Sequence, residues 1–320
     1  MRKVFSAVSQ IFPFGIFPKI TNQKLILPFY HIITDEIPRH IKYLYPIRNI
    51  KTFEKDLDFF LKYYKPITLT ELKTLINSKI SKKVFHLTFD DGLSEFYNIV
   101  APILIKKGIP ATVFLNTDFI DNKDLFYKFK ISIVLSHLDK VKNITAFNNF
   151  KRISKTLKFN NIIEIDDIAK KHVISFSEYL TEKKPYLTTE QIIKLKEQGF
   201  TFGSHSINHP FYSDISLDEQ IIQTIKSIDF ITNKLKIDDK VFAFPFTDFG
   251  ISKLFFDSIA KTSKIDLTFG TAGLKKDMVL TNLHRIPMEN NFYSAKRIIG
   301  GEYIYYIAKS LINKNIIVRY

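Results

Sequence analysis

The sequence predicts an α/β fold built on a parallel β-sheet. Continuously apolar segments of strand length alternate along the chain with longer segments in which apolar residues have helical spacing. Unbroken apolar strands are typical of a parallel sheet that helices cover on both faces. Residues with catalytic or metal-binding chemistry directly follow several of these strands, and sites assemble at the carboxyl ends of parallel strands. The pattern is compatible with both an open doubly wound sheet and a closed barrel.

The first part of the chain supplies the first strands and the helices between them. Phe53, Leu57 and Phe60 have the spacing of an amphipathic helix. Gly108 ends a later helix, because glycine readily adopts the left-handed conformation found at helix C-termini. In order, we expect strand 25–31, helix 53–61, strand 67–69, a short helix through residue 75, strand 84–89, helix 94–107 and strand 111–115.

The segment from about 118 to 187 interrupts this alternation. Its charged, helix-like stretches, such as 128–138 and 163–180, carry no pairs of chemistry-bearing residues. We interpret the segment as a helical insertion in a single domain that covers residues 21–320.

Strands and helices alternate again after the insertion. Thr188 and Gln191 have capping-box spacing, as do Ser216 and Glu219, so each pair predicts the start of a helix. In order, we expect helix 188–199, a strand beginning at residue 200, helix 216–235, strand 241–246, helix 252–262, strands 267–271 and 283–288, and a final helix over 293–311.

Residues 1–20 are predicted to form an N-terminal arm. The stretch has a basic start, but Pro13, Gly15 and Pro18 interrupt its apolar part and no small-residue cleavage site follows. This favours an arm over a signal peptide, and we therefore expect a cytoplasmic location. The alternative is a weak or uncleaved export segment or membrane-surface segment. No apolar run approaches the roughly 18 residues of a transmembrane segment.

The amino-acid composition limits the classes of molecule that the protein is expected to bind. The 320 residues carry a formal net charge of +15, which would suit nucleic acid, a lipid surface or an acidic glycan. Only seven residues are arginine, however, and the lysines are scattered, so no basic groove for nucleic acid is indicated. The sequence has no cysteine, which excludes disulfides, thiol catalysis and a cysteine-ligated zinc site.

Two stretches carry the residue types of a catalytic site. Asp90 and Asp91 follow one strand and point in different directions, so one can bind a metal while the other moves a proton. An isolated Asp-Asp-Gly sequence would instead be a solvated turn. His205 and His209 follow another strand, and two imidazoles with a carboxylate suit a catalytic Zn²⁺ that keeps open positions.

These motifs resemble those of the polysaccharide deacetylases of the NodB-homology type, carbohydrate esterase family 4. The family motif T-F-D-D corresponds to residues 88–91, and H-S/T-x-x-H corresponds to residues 205–209. A third motif, an apolar strand ending in Pro-aromatic, corresponds to residues 242–246. The resemblance spans most of the chain and implies an irregular (β/α) barrel of about seven strands, which here contains the helical insertion.

The resemblance also implies roles for the first two motifs. Asp90 corresponds to the general base, and Asp91, His205 and His209 correspond to the ligands of a divalent metal ion, which we expect to be Zn²⁺. This division agrees with the chemistry, because a ligating carboxylate must stay ionised whereas a base needs a pKa raised toward neutrality.

The third motif departs from the family pattern. Pro245 and Phe246 correspond to the turn whose backbone N–H holds the oxyanion in the family. Ala243 and Phe244 stand where the family has an arginine ahead of the proline, and Thr247 follows in place of a glycine.

Two histidines compete for the role of general acid. Tyr30 and His31 match the Tyr-His strand of one branch of the family, in which the histidine supplies the acid and Tyr30 would lie in the substrate site. His284 lies on the late strand where other members place the acid. Arg285 follows it and could replace the missing arginine as the partner of Asp90.

The expected function is metal-dependent removal of acetyl groups from N-acetylated sugars of a polysaccharide or glycan precursor. The alternatives are a carbohydrate O-acetyl esterase, which uses the same tetrahedral chemistry, and a catalytically silent glycan-binding member of the same fold. We expect an acetylated glycan as the partner, and neither nucleic acid nor a membrane span.

Overall fold

The computed structural model describes residues 2–76, 78, 80–290 and 292–320, so residue 1 of the predicted arm lies outside the described residues. The strands are β1 Leu25–Ile26, β2 Pro28–Tyr30, β3 Lys65–Pro66, β4 Val84–Phe85, β5 Leu87–Phe89, β6 Ala111–Leu115, β7 Thr201–Ser204, β8 Val241–Ala243, β9 Leu267–Gly270, β10 Lys276–Asp277, β11 Asn282–His284, β12 Ile286–Pro287 and β13 Ile316–Ile317. The helices are α1 Arg2–Val8, α2 Phe17–Thr21, α3 Ile50–Tyr63, α4 Leu69–Leu75, α5 Ala101–Lys107, α6 Tyr127–Lys140, α7 Ile144–Ile153, α8 Ile162–Lys171, α9 Phe176–Lys183, α10 Thr189–Glu197, α11 Leu217–Asn233, α12 Lys253–Lys261 and α13 Ala295–Ser310.

Parallel strands form a nearly closed barrel. In the described part of the chain their order is β11-β9-β8-β7-β6-β5-β2-β12, and every neighbouring pair is parallel. The edge strands β11 and β12 are consecutive halves of one segment, which therefore pairs with β9 first and then with β2. Backbone hydrogen bonds from Arg285 N to Gly270 O (3.0 Å) and from Ile286 N to Leu27 O (2.8 Å) join the two edges. The predicted (β/α) barrel is confirmed.

Three predicted strands are divided in the structure. The segments 25–31 and 84–89 break at Leu27 and His86, so β1 and β4 form a small sheet with β3 while β2 and β5 enter the barrel. The His86 ring lies between Ile67 O and Thr112 Oγ1, each 2.8 Å from a ring nitrogen. The third, 283–288, divides where its halves join opposite edges of the barrel.

Other boundaries also differ from the sequence predictions. The strand predicted at 67–69 is wrong, because Thr68 instead forms a capping box with Glu71 at the start of α4. The helix predicted over 94–107 contains a π-helical turn over residues 96–100. Ser216 accepts a hydrogen bond from Glu219 N at the start of α11, and the pair β10–β13 has no counterpart in the sequence prediction.

The segment 118–187 is helical, as predicted, and contains α6 to α9. The helix predicted over 163–180 is interrupted between α8 and α9. These helices share a hydrophobic cluster that includes Phe126, Phe129 and Tyr186, and Ile32 and Ile41 from the loop after β2 join it. The insertion therefore packs directly on a loop at the carboxyl ends of the barrel strands.

The N-terminal arm packs on α13. Gly300 and Gly301 permit this close contact, because a Cβ atom added at either position would lie 2.8–2.9 Å from atoms of Ser6 or Ser9. Phe14 and Phe17 of the arm are buried in the main core cluster. Among the described residues, no helix is both long and apolar enough to cross a membrane.

Candidate active site

Most of the predicted site residues meet where the barrel strands end. Asp90 and Asp91 follow β5, and His205 follows β7. His31 follows β2, and Glu289, which belongs to none of the sequence motifs, lies just beyond β12. Parallel strands bring these residues to one end of the barrel because all their carboxyl ends point the same way.

Asp91, His205 and His209 form a buried group with the donor set of a metal site. Asp91 Oδ1 lies 3.3 Å from His209 Nε2 and 3.7 Å from His205 Nε2. The Nδ1 atom of His205 is bonded to Ala243 O at 2.8 Å, so this ring donates from Nδ1 and presents the Nε2 lone pair to the site. Among the described residues, Asp91 Oδ1 and His205 Nε2 have no hydrogen-bond partner. Buried polar atoms are rarely left unpaired, so these residues fit a divalent ion.

The charges in this group also suit a metal. Burial opposes ionisation of Asp91, but the histidines, His209 foremost, outweigh it and hold its pKa well below the usual value. Burial lowers the pKa of His205 to about 4. The carboxylate is therefore ionised and the His205 imidazole neutral at physiological pH, which are the forms that bind a metal.

Four residues in or beside this group have a left-handed backbone conformation. Asp91, Ser206, His209 and Phe246 have φ values of 67°, 75°, 61° and 58°, in the left-handed region that residues other than glycine seldom adopt. The Ser206 hydroxyl accepts a hydrogen bond from His209 N at 3.0 Å and holds the turn that presents His209. Such strain costs about 1–3 kcal/mol per residue and is typical of functional sites.

Asp90 is held by Arg285. Two parallel hydrogen bonds of 2.6 and 2.8 Å join the guanidinium to the two carboxylate oxygens, and both side chains are buried. The arginine missing from the third motif is thus replaced from the last barrel strand. The expected rise in the pKa of Asp90 is wrong, because Arg285 and His205 outweigh the effect of burial and lower it.

His31 is bound by Glu289. Its Nδ1 atom lies 2.6 Å from Glu289 Oε2, and the other carboxylate oxygen accepts hydrogen bonds from the backbone of His31 and Ile32. Burial alone would lower the pKa of His31, but the Glu289 carboxylate raises it to about 9. The imidazole is therefore protonated at neutral pH, as a general acid requires.

Tyr30 does not line the site, and its predicted place in the substrate site is wrong. Its hydroxyl donates to Asp56 Oδ2 at 3.0 Å, its ring stacks on Phe89, and the side chain is fully buried. The cause is the alternation of side chains along a strand, which sends Tyr30 and His31 to opposite faces.

Phe246 lies against the candidate metal-binding residues. Its ring centroid is 4.6 Å from that of His209, and Phe126 from the insertion contacts His209 at 4.3 Å. Pro245 is buried immediately before it. Within the described part of the chain, the Phe246 N–H makes no hydrogen bond, so it is available as a donor at the site.

His284 is placed elsewhere, in a second buried cluster, so its candidacy as the general acid is wrong. Its Nε2 atom is 3.0 Å from Asp277 Oδ2, and Asp248 lies on the other side of the ring. Asp248, Asp277 and His284 also resemble a metal-binding set, but the Arg319 guanidinium binds both carboxylates. The positively charged guanidinium of Arg319 thus occupies the position that a metal ion would take.

Replacing Arg319 tests this interpretation. Arg319→Ala should lower the free energy of unfolding by about 3–5 kcal/mol, because it leaves two buried carboxylates without their cation. Lys314→Ala, at an exposed position of the same terminal segment, should change it by less than about 0.5 kcal/mol. Equal denaturant midpoints for the two variants would show that Arg319 is not the cation of this cluster.

The fold and the first cluster together define a parallel β/α barrel with a buried candidate metal-binding group at the carboxyl ends of its strands. The sequence model of the polysaccharide deacetylase family matches residues 77–261. The chain belongs to the polysaccharide deacetylase family.

Solved structures share the fold. The deacetylase PplD of Streptococcus pyogenes, in complex with acetate, is 20% identical over 87% of this chain and 98% of its own, with a TM-score of 0.58. IcaB from Ammonifex degensii is 14% identical over 88% and 97% of the two chains, with a TM-score of 0.57. A de-N-acetylase from Aggregatibacter actinomycetemcomitans is 13% identical over 85% and 97%, with a TM-score of 0.58. No curated protein matches the sequence at a significant level.

Proposed function

We propose that the protein is a metal-dependent hydrolase that removes acetyl groups from N-acetylated sugars of a polysaccharide or glycan precursor. The observation that carries this proposal is the convergence of unpartnered ligand atoms from Asp91 and His205, with His209 beside them. These atoms lie next to a carboxylate fixed by Arg285 and near a protonated imidazole.

Each residue of the candidate active site has a separate role in the proposed reaction. Asp91, His205 and His209 would hold a divalent ion, best matched by Zn²⁺, which polarises the acetyl carbonyl and activates water. Asp90, kept ionised and oriented by Arg285, accepts the proton of the attacking water. The Phe246 N–H donates to the carbonyl oxygen as negative charge develops there.

His31 completes the reaction at the leaving group. As the bond between the acetyl carbon and the sugar nitrogen breaks, the imidazolium donates its proton to that nitrogen, and acetate and a free amine result. An amide nitrogen leaves poorly as an anion, whereas an ester oxygen needs less help. A protonated, carboxylate-bound His31 therefore favours N-deacetylation over the alternative, carbohydrate O-acetyl esterase activity.

Metal removal tests the proposal. The purified protein should contain close to one divalent ion per chain, and it should release acetate from N-acetylated oligosaccharides faster than from O-acetylated ones. A chelator should abolish release and added Zn²⁺ should restore it, since the ion supplies the activation of water. Full activity in protein shown to be metal-free would contradict the proposal, and bound glycan without acetate release would favour a silent glycan-binding protein.

A further inference from the structure

Lys128 is a half-buried cation that has no carboxylate partner among the described residues. It lies at the start of α6 in the insertion. Its Nζ atom lies 5.3 Å from the Phe246 ring centroid and 5.8 Å from that of Tyr127. Burial lowers its pKa, which no neighbouring charge offsets. The contacts that hold this ammonium are therefore aromatic faces.

Two other lysines of the insertion form ion pairs with aspartate side chains. Lys130, two residues along the same helix, pairs with Asp124 at 3.4 Å and with Asp166 at 3.1 Å. Lys158 pairs with Asp214, whose negative charge contributes to the raised pKa of Tyr127. Because partial burial costs a charge some of its hydration and Lys128 has no counter-charge to offset that cost, its ammonium needs an explanation that these lysines do not.

The position of Lys128 connects it to the metal-binding residues. Phe246, on which its ammonium lies, also contacts His209 at 4.6 Å. Phe211 also contacts Phe246, with ring centroids 5.2 Å apart. Phe246 and Phe211 are both partly exposed, so they offer apolar faces to a bound sugar ring. One aromatic ring thus separates the unpaired cation from the metal-binding group.

We propose that Lys128, Phe246 and Phe211 form a subsite for a negatively charged sugar next to the one that is deacetylated. This inference deepens the proposed function and rests on it for the identity of the neighbouring sugar. An anionic substituent would supply the counter-charge that Lys128 lacks, while its sugar ring would cover the aromatic faces. The chemistry fits a carboxylate, as on a uronic acid, or a phosphate carried by the glycan.

The test measures binding, so that it does not depend on turnover. Dissociation constants of the metal-loaded full-length protein are compared for a hyaluronan tetrasaccharide, which alternates N-acetylglucosamine with a uronate, and for neutral chitotetraose. N-acetylglucosamine 6-phosphate and N-acetylglucosamine form a second pair. We expect the anionic member of at least one pair to bind about tenfold more tightly, as a charge-assisted hydrogen bond provides. The preference should weaken with salt, and the pair that shows it identifies the anion.

Three variants assign the preference to Lys128. Lys128→Gln should abolish it and Lys128→Arg should retain it. Lys151→Gln, an exposed insertion lysine that also lies over a phenylalanine ring, should leave it unchanged. Equal affinities within both pairs for the wild-type protein, or a preference that persists in Lys128→Gln, would overturn the inference. Acetate release from chitotetraose, measured in parallel, tests the proposed function separately, because the binding ratio is obtained whether or not acetate appears.

Discussion

Asp91→Asn is expected to remove the bound metal, whereas Asp90→Asn should keep the metal and lose turnover by about 10²–10⁴-fold. The two adjacent carboxylates differ in what their oxygens contact. Asp91 Oδ1 faces the Nε2 atoms of His205 and His209 and has no hydrogen-bond partner in the described part of the chain. Both oxygens of Asp90 are bound by Arg285. Metal content and acetate release are measured on the same preparations.

A matched control is available in the insertion. Asp167, an exposed carboxylate of α8, should tolerate Asp167→Asn with metal content and activity near those of the wild type. Because Asp90→Asn leaves the buried Arg285 without its counter-charge, its thermal unfolding is recorded as well. Loss of metal from a folded Asp90→Asn protein, or full activity in either Asp90→Asn or Asp91→Asn, would show that the roles are assigned wrongly.

Local sequence predicts the parts of the site that lie within one strand and its following turn. Asp90 and Asp91 follow a short apolar strand, and His205 and His209 share one turn, so their meeting at the barrel end follows from the parallel arrangement alone. The pairing of Asp90 with Arg285 was also expected, because the third motif lacks its arginine and Arg285 lies on the last predicted strand. The structure shows its geometry: a bidentate contact across the closing segment of the barrel.

Other contacts between distant segments could not be predicted. Glu289 and His31 are far apart in sequence, and they meet because the segment 282–287 closes the barrel against β2. The available signal was a carboxylate just after a predicted strand end. Lys128 and Phe126 reach Phe246 and His209 only through the packing of the insertion, and no spacing in the sequence encodes that packing.

Two errors have a common physical cause. Tyr30 and His31 are neighbours, as are His284 and Arg285, and neighbouring side chains on a strand point to opposite faces. Motif resemblance identifies the pair but does not state which member faces the site. A shift of one residue exchanges the faces completely, so Tyr30 and His284 were assigned to a site that only their neighbours reach.

Replacing Glu289 should change the pH dependence of deacetylation. Glu289 raises the pKa of His31 to about 9, so the imidazolium persists at neutral pH and is lost as the pH rises through that value. Glu289→Gln removes the negative charge that raises the pKa of His31, while burial still lowers that pKa. The fall in activity on the alkaline side should therefore move to lower pH. Glu95→Gln, which removes a carboxylate without contact to His31, is the comparison. An unchanged alkaline limb in Glu289→Gln would contradict the assignment.

His31→Ala should suppress turnover of an N-acetylated sugar by about 10²–10⁴-fold while slowing hydrolysis of an activated aryl acetate only slightly. The difference arises because an aryl oxygen leaves without protonation, whereas the sugar nitrogen requires the proton that His31 carries. His284→Ala serves as the control: it disturbs the cluster with Asp277, so it should lower stability without favouring either substrate. If the leaving-group dependence appears in His284→Ala and not in His31→Ala, the proton comes from the late strand, and the Glu289-bound imidazole has a structural role.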